Sequence, residues 1–140
     1  MIDERGKIET IANGDFKCVQ IIETKKGSIR SNHLHRTGGH HLHVVSGRMI
    51  YREFKVPYRD EVMFYKDKEY LVPPPKVVWE REFEVGPGQG VWTGSWIYHQ
   101  TEFLEDTVLV SCAITPLDHD RYEADTVRMG PAEMAEVWRC

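Results

Sequence analysis

Long apolar runs are missing from this chain of 140 residues; nothing in it approaches the ~18 consecutive apolar residues of a membrane-spanning helix. The opening Met1-Ile2-Asp3-Glu4-Arg5 lacks the apolar stretch of a secretory signal, so neither a membrane partner nor export is expected. Cysteine is scarce. Cys18, Cys112 and Cys140 are odd in number, far apart and without C-x-x-C spacing, which argues against a disulfide framework and suits a reducing cytoplasm. Cys18 and Cys112 sit in apolar runs and read as small core residues. A surplus of basic charge is also absent. Lys and Arg number 18 against 22 Asp and Glu, and they are scattered, so a nucleic-acid partner is not expected. No serine stands in a G-x-S-x-G elbow, and no cysteine neighbours the histidines, which removes the usual nucleophiles. The glycines of 86–90 lead into a strand pattern instead of a helix, so they do not form a phosphate loop.

What is present is a succession of short β-type runs separated by turn signals. Strands are expected over 16–22, 41–45, 48–56, 77–85, 91–93 and 107–114, with turns at Lys26-Gly27-Ser28, Ser46-Gly47 and Gly94-Ser95. In 77–85 the alternation sets Glu80, Glu82 and Glu84 on one face, which should meet water. The run 107–114 alternates poorly and reads as a strand covered on both faces. Eight or more such strands favour an all-β barrel or sandwich. The 57–76 stretch, with Pro73-Pro74-Pro75 and the aromatics Tyr58, Phe64, Tyr65 and Tyr70, is expected as a surface excursion packed on the barrel, on a lid or on a partner. A short helix is expected over 130–138, with Pro131 in its first turn. One domain over 1–140 accounts for the whole length.

The chemistry concentrates in histidine. Five of the seven fall in 33–43: His33, His35, His40, His41 and His43. His33 and His35 are two apart, so on a strand both imidazoles face one side, roughly 6.6 Å apart along it. Thr37-Gly38-Gly39 can turn the chain and return His40 opposite them. Parity puts His40, Leu42 and Val44 on one face and sends His41 and His43 to the other. His99 follows a Gly/Trp-rich turn region farther along. Neutral imidazole is a common ligand of transition metals. His119, between Asp118 and Asp120, reads as a solvated loop residue.

The layout from Gly27 to Gly47 resembles the first cupin motif. Gly27 is followed by His33 and His35, then by His40 where the family usually has Glu, then by Gly47. Gly88 and His99 match the second motif over about 88–103, whereas Gly94, Trp96 and Phe103 replace its Pro, second Gly and Asn. The resemblance implies a cupin-type double-stranded β-helix, a jelly-roll barrel of the RmlC-like kind. It further implies that His33, His35, His40 and His99 converge on one divalent metal and that the protein is a homodimer. With His40 in place of a carboxylate, the ion would keep nearly its full charge. Four ligands around zinc would close the site, whereas octahedral iron or manganese would leave two positions open, so Fe or Mn is favoured over Ni, Co, Zn or Cu. Arg30, Tyr51, Trp92 and Trp96 are expected near a small-molecule ligand.

The leading expectation is therefore a metal-binding cupin acting on a small polar metabolite or organic acid, by isomerase, lyase or dioxygenase chemistry. The opening Asp3-Glu4-Arg5-Gly6 and the Gly27–Gly47 layout also look like the cupins that act on nucleotide-linked sugars without metal. That supplies an alternative, in which His33 or His35 removes a proton beside a carbonyl and a tyrosine returns one. A non-enzymatic small-molecule binding barrel is the remaining alternative. Under the metal reading, protons should compete for the ligands near ~6.5.

Overall fold

A computed structural model describes residues 1–57, 61–116 and 118–138, without the side chains of residues 119 and 136–138. Tyr58 and Cys140, and the side chains of His119 and Trp138, lie outside the described residues. Two antiparallel sheets face each other. The first holds β3 (Cys18–Thr24), β5 (His40–Ser46), β10 (Gly90–Thr93) and β12 (Thr107–Ala113), in the order β10-β5-β12-β3. The second holds β4 (Ile29–His35), β6 (Met49–Lys55), β7 (Val62–Tyr65), β8 (Lys68–Leu71), β9 (Arg81–Val85), β11 (Ile97–Phe103) and β13 (Thr126–Met129). Its order is β7-β8-β13-β4-β11-β6-β9, and only the β13–β8 pair runs parallel. A small hairpin, β1 (Ile2–Asp3) with β2 (Gly6–Lys7), precedes the sheets, and α1 (His119–Asp125) and α2 (Ala132–Trp138) flank β13. This is the jelly-roll arrangement, with a short C-terminal helix.

Alternation explains the packing. Leu42, Val44, Met49, Tyr51, Val85, Val91, Phe103 and Leu109 fill the space between the sheets at one end. Each side chain of this size contributes about 1.5–3 kcal/mol when fully buried. The second sheet is covered on its back as well, where Leu34, Val56, Leu71, Tyr98 and Val127 pack with Phe54, Trp79 and Trp96. The other end of the interior is left for polar groups. Between β5 and β6, Gly47 takes φ +91°, and a Cβ there would lie 2.5 Å from the Asp106 carbonyl oxygen.

Several boundaries differ from the sequence reading. Residues 77–80 precede β9 instead of extending it, while Glu82 and Glu84 do face water and pair with Arg52 and Arg48. In β12 the outward residues Val108 and Val110 are only half-buried, so the strand is not enclosed on both faces. The surface excursion has regular structure of its own. Its central residues form the β7–β8 hairpin, which lengthens the second sheet past the barrel. Among the described residues, Cys18 and Cys112 are free thiols, half-buried and buried respectively. No helix among them is long and apolar enough to cross a membrane.

Candidate functional site

His33 and His35 project inward from β4, and His99 stands directly opposite His33 on β11. The register shifts between His99 and Gln100, just where the imidazole turns in. Before His33 the chain takes left-handed φ at Ser31 (71°) and Asn32 (57°), a local kink in the edge of the barrel. His40 arrives from the other sheet at the start of β5. One ring nitrogen from each of His33, His35 and His99 lies within 4.8 Å of the others. His40 completes the group, its Nε2 standing 3.2 Å from His99 Nε2.

Hydrogen bonds fix the tautomers. His99 Nδ1 lies 2.9 Å from the Ile97 carbonyl, which can only accept, so that nitrogen carries the proton and Nε2 presents its lone pair to the cluster. His35 Nδ1 faces Thr126 Oγ1 at 3.3 Å and Asp125 Oδ2 at 3.7 Å, which aims its Nε2 inward too. His40 Nδ1 is shielded from water with no hydrogen-bond partner among the described residues. Burial pushes the His33 imidazole down to about 2, reinforced by its neighbours His99, His35 and His40. Burial likewise brings His99 to about 4 and lowers His35 and His40. For His35 the Asp125 carboxylate opposes that trend. At neutral pH the site is four uncharged imidazoles.

Beside them is a cavity of about 180 Å³, lined by Gln20, Arg30, Ser31, Ser111 and Tyr122 together with Ile22, Leu42, Phe103 and Leu109. Tyr122 comes from α1, and its ring centroid lies 6.0 Å from His33 and 5.8 Å from His35. Burial raises its phenol, which stays protonated. Asp125, at the end of the same helix, ties down the β4–β5 turn. It accepts from the Thr37 amide (2.7 Å), the Thr37 hydroxyl (2.8 Å) and the Gly38 amide (3.0 Å).

No family model matches the chain, and no curated protein does. Solved structures do. The QdtA 3,4-ketoisomerase from Thermoanaerobacterium thermosaccharolyticum, in complex with TDP, superposes with a TM-score of 0.62 at 19% identity, over 99% of this chain and 88% of that one. The dTDP-4-dehydrorhamnose 3,5-epimerase from Sulfolobus tokodaii gives 0.63 at 16%, over 86% and 69%. The capsular polysaccharide assembling protein CapF from Staphylococcus aureus gives 0.59 at 22%, over 84% of this chain and 27% of its own. The chain has the RmlC-like cupin fold. Its barrel mouth is the end at which the four imidazoles gather.

Within this cupin barrel the structure brings together His33, His35, His40 and His99, and Arg30 lines the same cavity. Tyr51 is placed otherwise. It is fully buried, donates or accepts at 2.6 Å with Thr93 Oγ1, and stacks 6.4 Å behind His99, away from the cavity lining. Trp92 lies half-exposed on the outward face of β10, over Gly39. Trp96 packs against the back of the second sheet and borders a different cleft, with Arg36 and Phe64. His41 and His43 do point outward, but His43 is buried, its Nε2 3.0 Å from Glu9 of the N-terminal segment. Tyr122 and Asp125 were not singled out in the sequence. The stretch around them reads as solvated loop, and their i, i+3 spacing becomes a signal only once a helix is known there. As donors, four neutral imidazoles suit Fe, Ni, Cu or Zn. Nitrogens ~2.1 Å from one ion stand ~4.2 Å apart or less, so small side-chain rotations reconcile the cluster with a common ion.

Proposed function

We propose that the chain is a sugar isomerase or epimerase that shifts a proton beside a carbonyl of a nucleotide-linked sugar, with 1–140 as one cupin domain. The observation that carries this reading is neutral His35, backed by Asp125, beside the protonated phenol of Tyr122 on the lining of one cavity. The structures of similar fold support it, because their named activities are ketoisomerase and epimerase, one with TDP-4-keto-6-deoxyglucose bound. In this reading His35 Nε2 takes the proton from the carbon next to the carbonyl. The electron pair moves onto the carbonyl oxygen to give an enediolate. Tyr122 returns a proton to carbon. At the former carbonyl carbon this moves the carbonyl, the adjacent hydroxyl passing its proton to the enediolate oxygen; on the opposite face of the first carbon it inverts the centre. The imidazolium of His35 then gives its proton back to the Tyr122 phenolate through solvent. Asp125 holds the tautomer and favours the imidazolium that forms. Calorimetric titration of EDTA-treated protein with thymidine- and uridine-diphosphate sugars tests the substrate class; no binding to either rejects it.

A second reading is favoured by one observation, the 3.2 Å approach of two Nε2 atoms from facing sheets. His33, His35, His40 and His99 would then hold one divalent metal: an open octahedral site favours Fe or Mn, the imidazole donors favour Fe of the two, and Ni, Co, Zn and Cu complete the candidates. Such an ion would polarise a carbonyl or carboxylate of a small organic acid, for isomerase, lyase or dioxygenase chemistry. Elemental analysis of untagged protein decides it, near one equivalent per chain for the metal reading and none for the other. The proposal takes the protein as a cytoplasmic homodimer. The exposed Val19, Ile21 and Val45 on the outer face of the first sheet are what a second copy would cover, and light scattering tests it.

A further inference from the structure

We propose that the sheet surface just outside the imidazole cluster is an anion subsite, centred on Arg128, that takes the phosphate-bearing part of the ligand. This rests on the nucleotide-linked sugar reading and deepens it. Strand pairing sets His99 opposite His33, His33 opposite Arg128, and Arg128 opposite Tyr70. Directly paired residues point to the same face of a sheet. The four side chains therefore form one row, with neighbouring strands about 4.8 Å apart, running from a buried imidazole out to a half-buried phenol. The alternate residue Val127 is fully buried on the other face. Arg128, 46% exposed, stands where the row leaves the barrel, close enough for its charge to be felt by both His33 and His35.

A second cleft, of about 640 Å³, opens at this point, and Arg36, Lys68, Arg128, Phe64 and Tyr70 line it. The cavity at the imidazoles, about 180 Å³, is below the ~300–1,000 Å³ that encloses a drug-sized ligand. A sugar joined to a nucleotide must therefore extend outward, and this cleft is where the row leads. Glu69 and Glu123 line it too, and against them Arg36, Lys68 and Arg128 leave a surplus of positive charge for a phosphate group. Arg36 pairs with Glu69, and Arg128 pairs with Glu123 at 3.0 and 3.1 Å through one N–H of each terminal nitrogen. That leaves Arg128 three of its five donors, including Nε–H, on a guanidinium already held in place. Lys68 adds positive charge, and Phe64, 65% exposed, offers a face to an aromatic base. Arg30, the cation inside the cavity, is turned the other way, donating to Thr24 Oγ1 (2.8 Å) and to the Glu23 carbonyl (3.4 Å).

The test is titration of the full chain with thymidine diphosphate and uridine diphosphate, and with thymidine by ligand-observed NMR, for the parent, Arg128→Gln, Arg128→Lys and Arg30→Gln. Arg128→Gln is expected to weaken the nucleoside diphosphates about ten-fold or more, Arg30→Gln by less, with thymidine unchanged. Arg128→Lys, which keeps the charge, should recover part of the loss. If the parent binds a nucleoside diphosphate and Arg128→Gln binds it equally well, the anion subsite is wrong while the sugar-nucleotide reading stands. A loss as large for thymidine as for the diphosphates, or no recovery with Lys, also overturns it, because either marks a merely structural role. A parent that binds neither diphosphate removes both readings together.

Discussion

At the scale of single residues, the pattern His33-x-His35 with His40 and His99 was legible, because β parity and motif spacing fix which imidazoles face inward. The partners that set their chemistry were not. Asp125 lies about ninety positions beyond His35 in sequence, and one helix turn brings both it and Tyr122 to the site. Tyr51 shows the opposite error: it sits on an inward position of β6, but the interior is packed solid there. His35→Asn should keep the fold and lower turnover of a keto-sugar by about 10²–10⁴-fold, the usual contribution of a general base. Tyr122→Phe should slow turnover while leaving binding nearly unchanged. His33 and His99 remain neutral in the folded chain down to about 2 and about 4, while the unfolded chain protonates them near ~6.5. The unfolded state thus binds more protons below ~6.5. Stability is greatest above that pH and falls as the pH drops toward about 4, by about 1.4 kcal/mol per pH unit for each histidine. Urea unfolding at pH 7.5, 5.5 and 4.5 reads this directly; a flat profile would contradict the buried, uncharged cluster. The same burial moves proton competition for any metal below the ~6.5 expected of free histidine.

Among the elements, strands bounded by turn signals were read nearly to their ends, as in β6, β10 and β12. The β7–β8 hairpin escaped because its two-residue turn is Lys66-Asp67, both with positive φ (49° and 67°), where Asn-Gly is the recognisable signal. Short β13 and α1 escaped because four and seven residues hold too little periodicity, and their stability comes from docking beside β4. The β4–β5 turn shows that dependence. Asp125 satisfies two backbone amides and one hydroxyl there, so Asp125→Ala should cost about 1–3 kcal/mol in chemical denaturation. Gly38→Ala would set its Cβ 2.5 Å from Asp125 Oδ2. It should therefore loosen the same turn, and combined with Asp125→Ala it should cost less than the sum of the two single changes.

For the whole molecule, an all-β barrel or sandwich followed from many short strands separated by turns, and the jelly roll from the resemblance to cupins, but the division of labour between its sheets did not. The second sheet carries three of the four histidines and continues past the barrel as β13-β8-β7, while the first supplies His40 and the facing wall of the cavity, with Gln20 and Ser111 beside Ile22, Leu42 and Leu109. In the proposed reading, the reacting group and the remainder of a ligand thus lie against the same sheet. The central claim is proton transfer beside a sugar carbonyl at this cluster. Proton NMR of TDP-4-keto-6-deoxyglucose incubated with EDTA-treated protein in D₂O tests it most directly. The account predicts that the hydrogen beside the keto group is replaced by deuterium about a hundred-fold or more faster with the parent than with His35→Asn. Exchange no faster than with His35→Asn would contradict it.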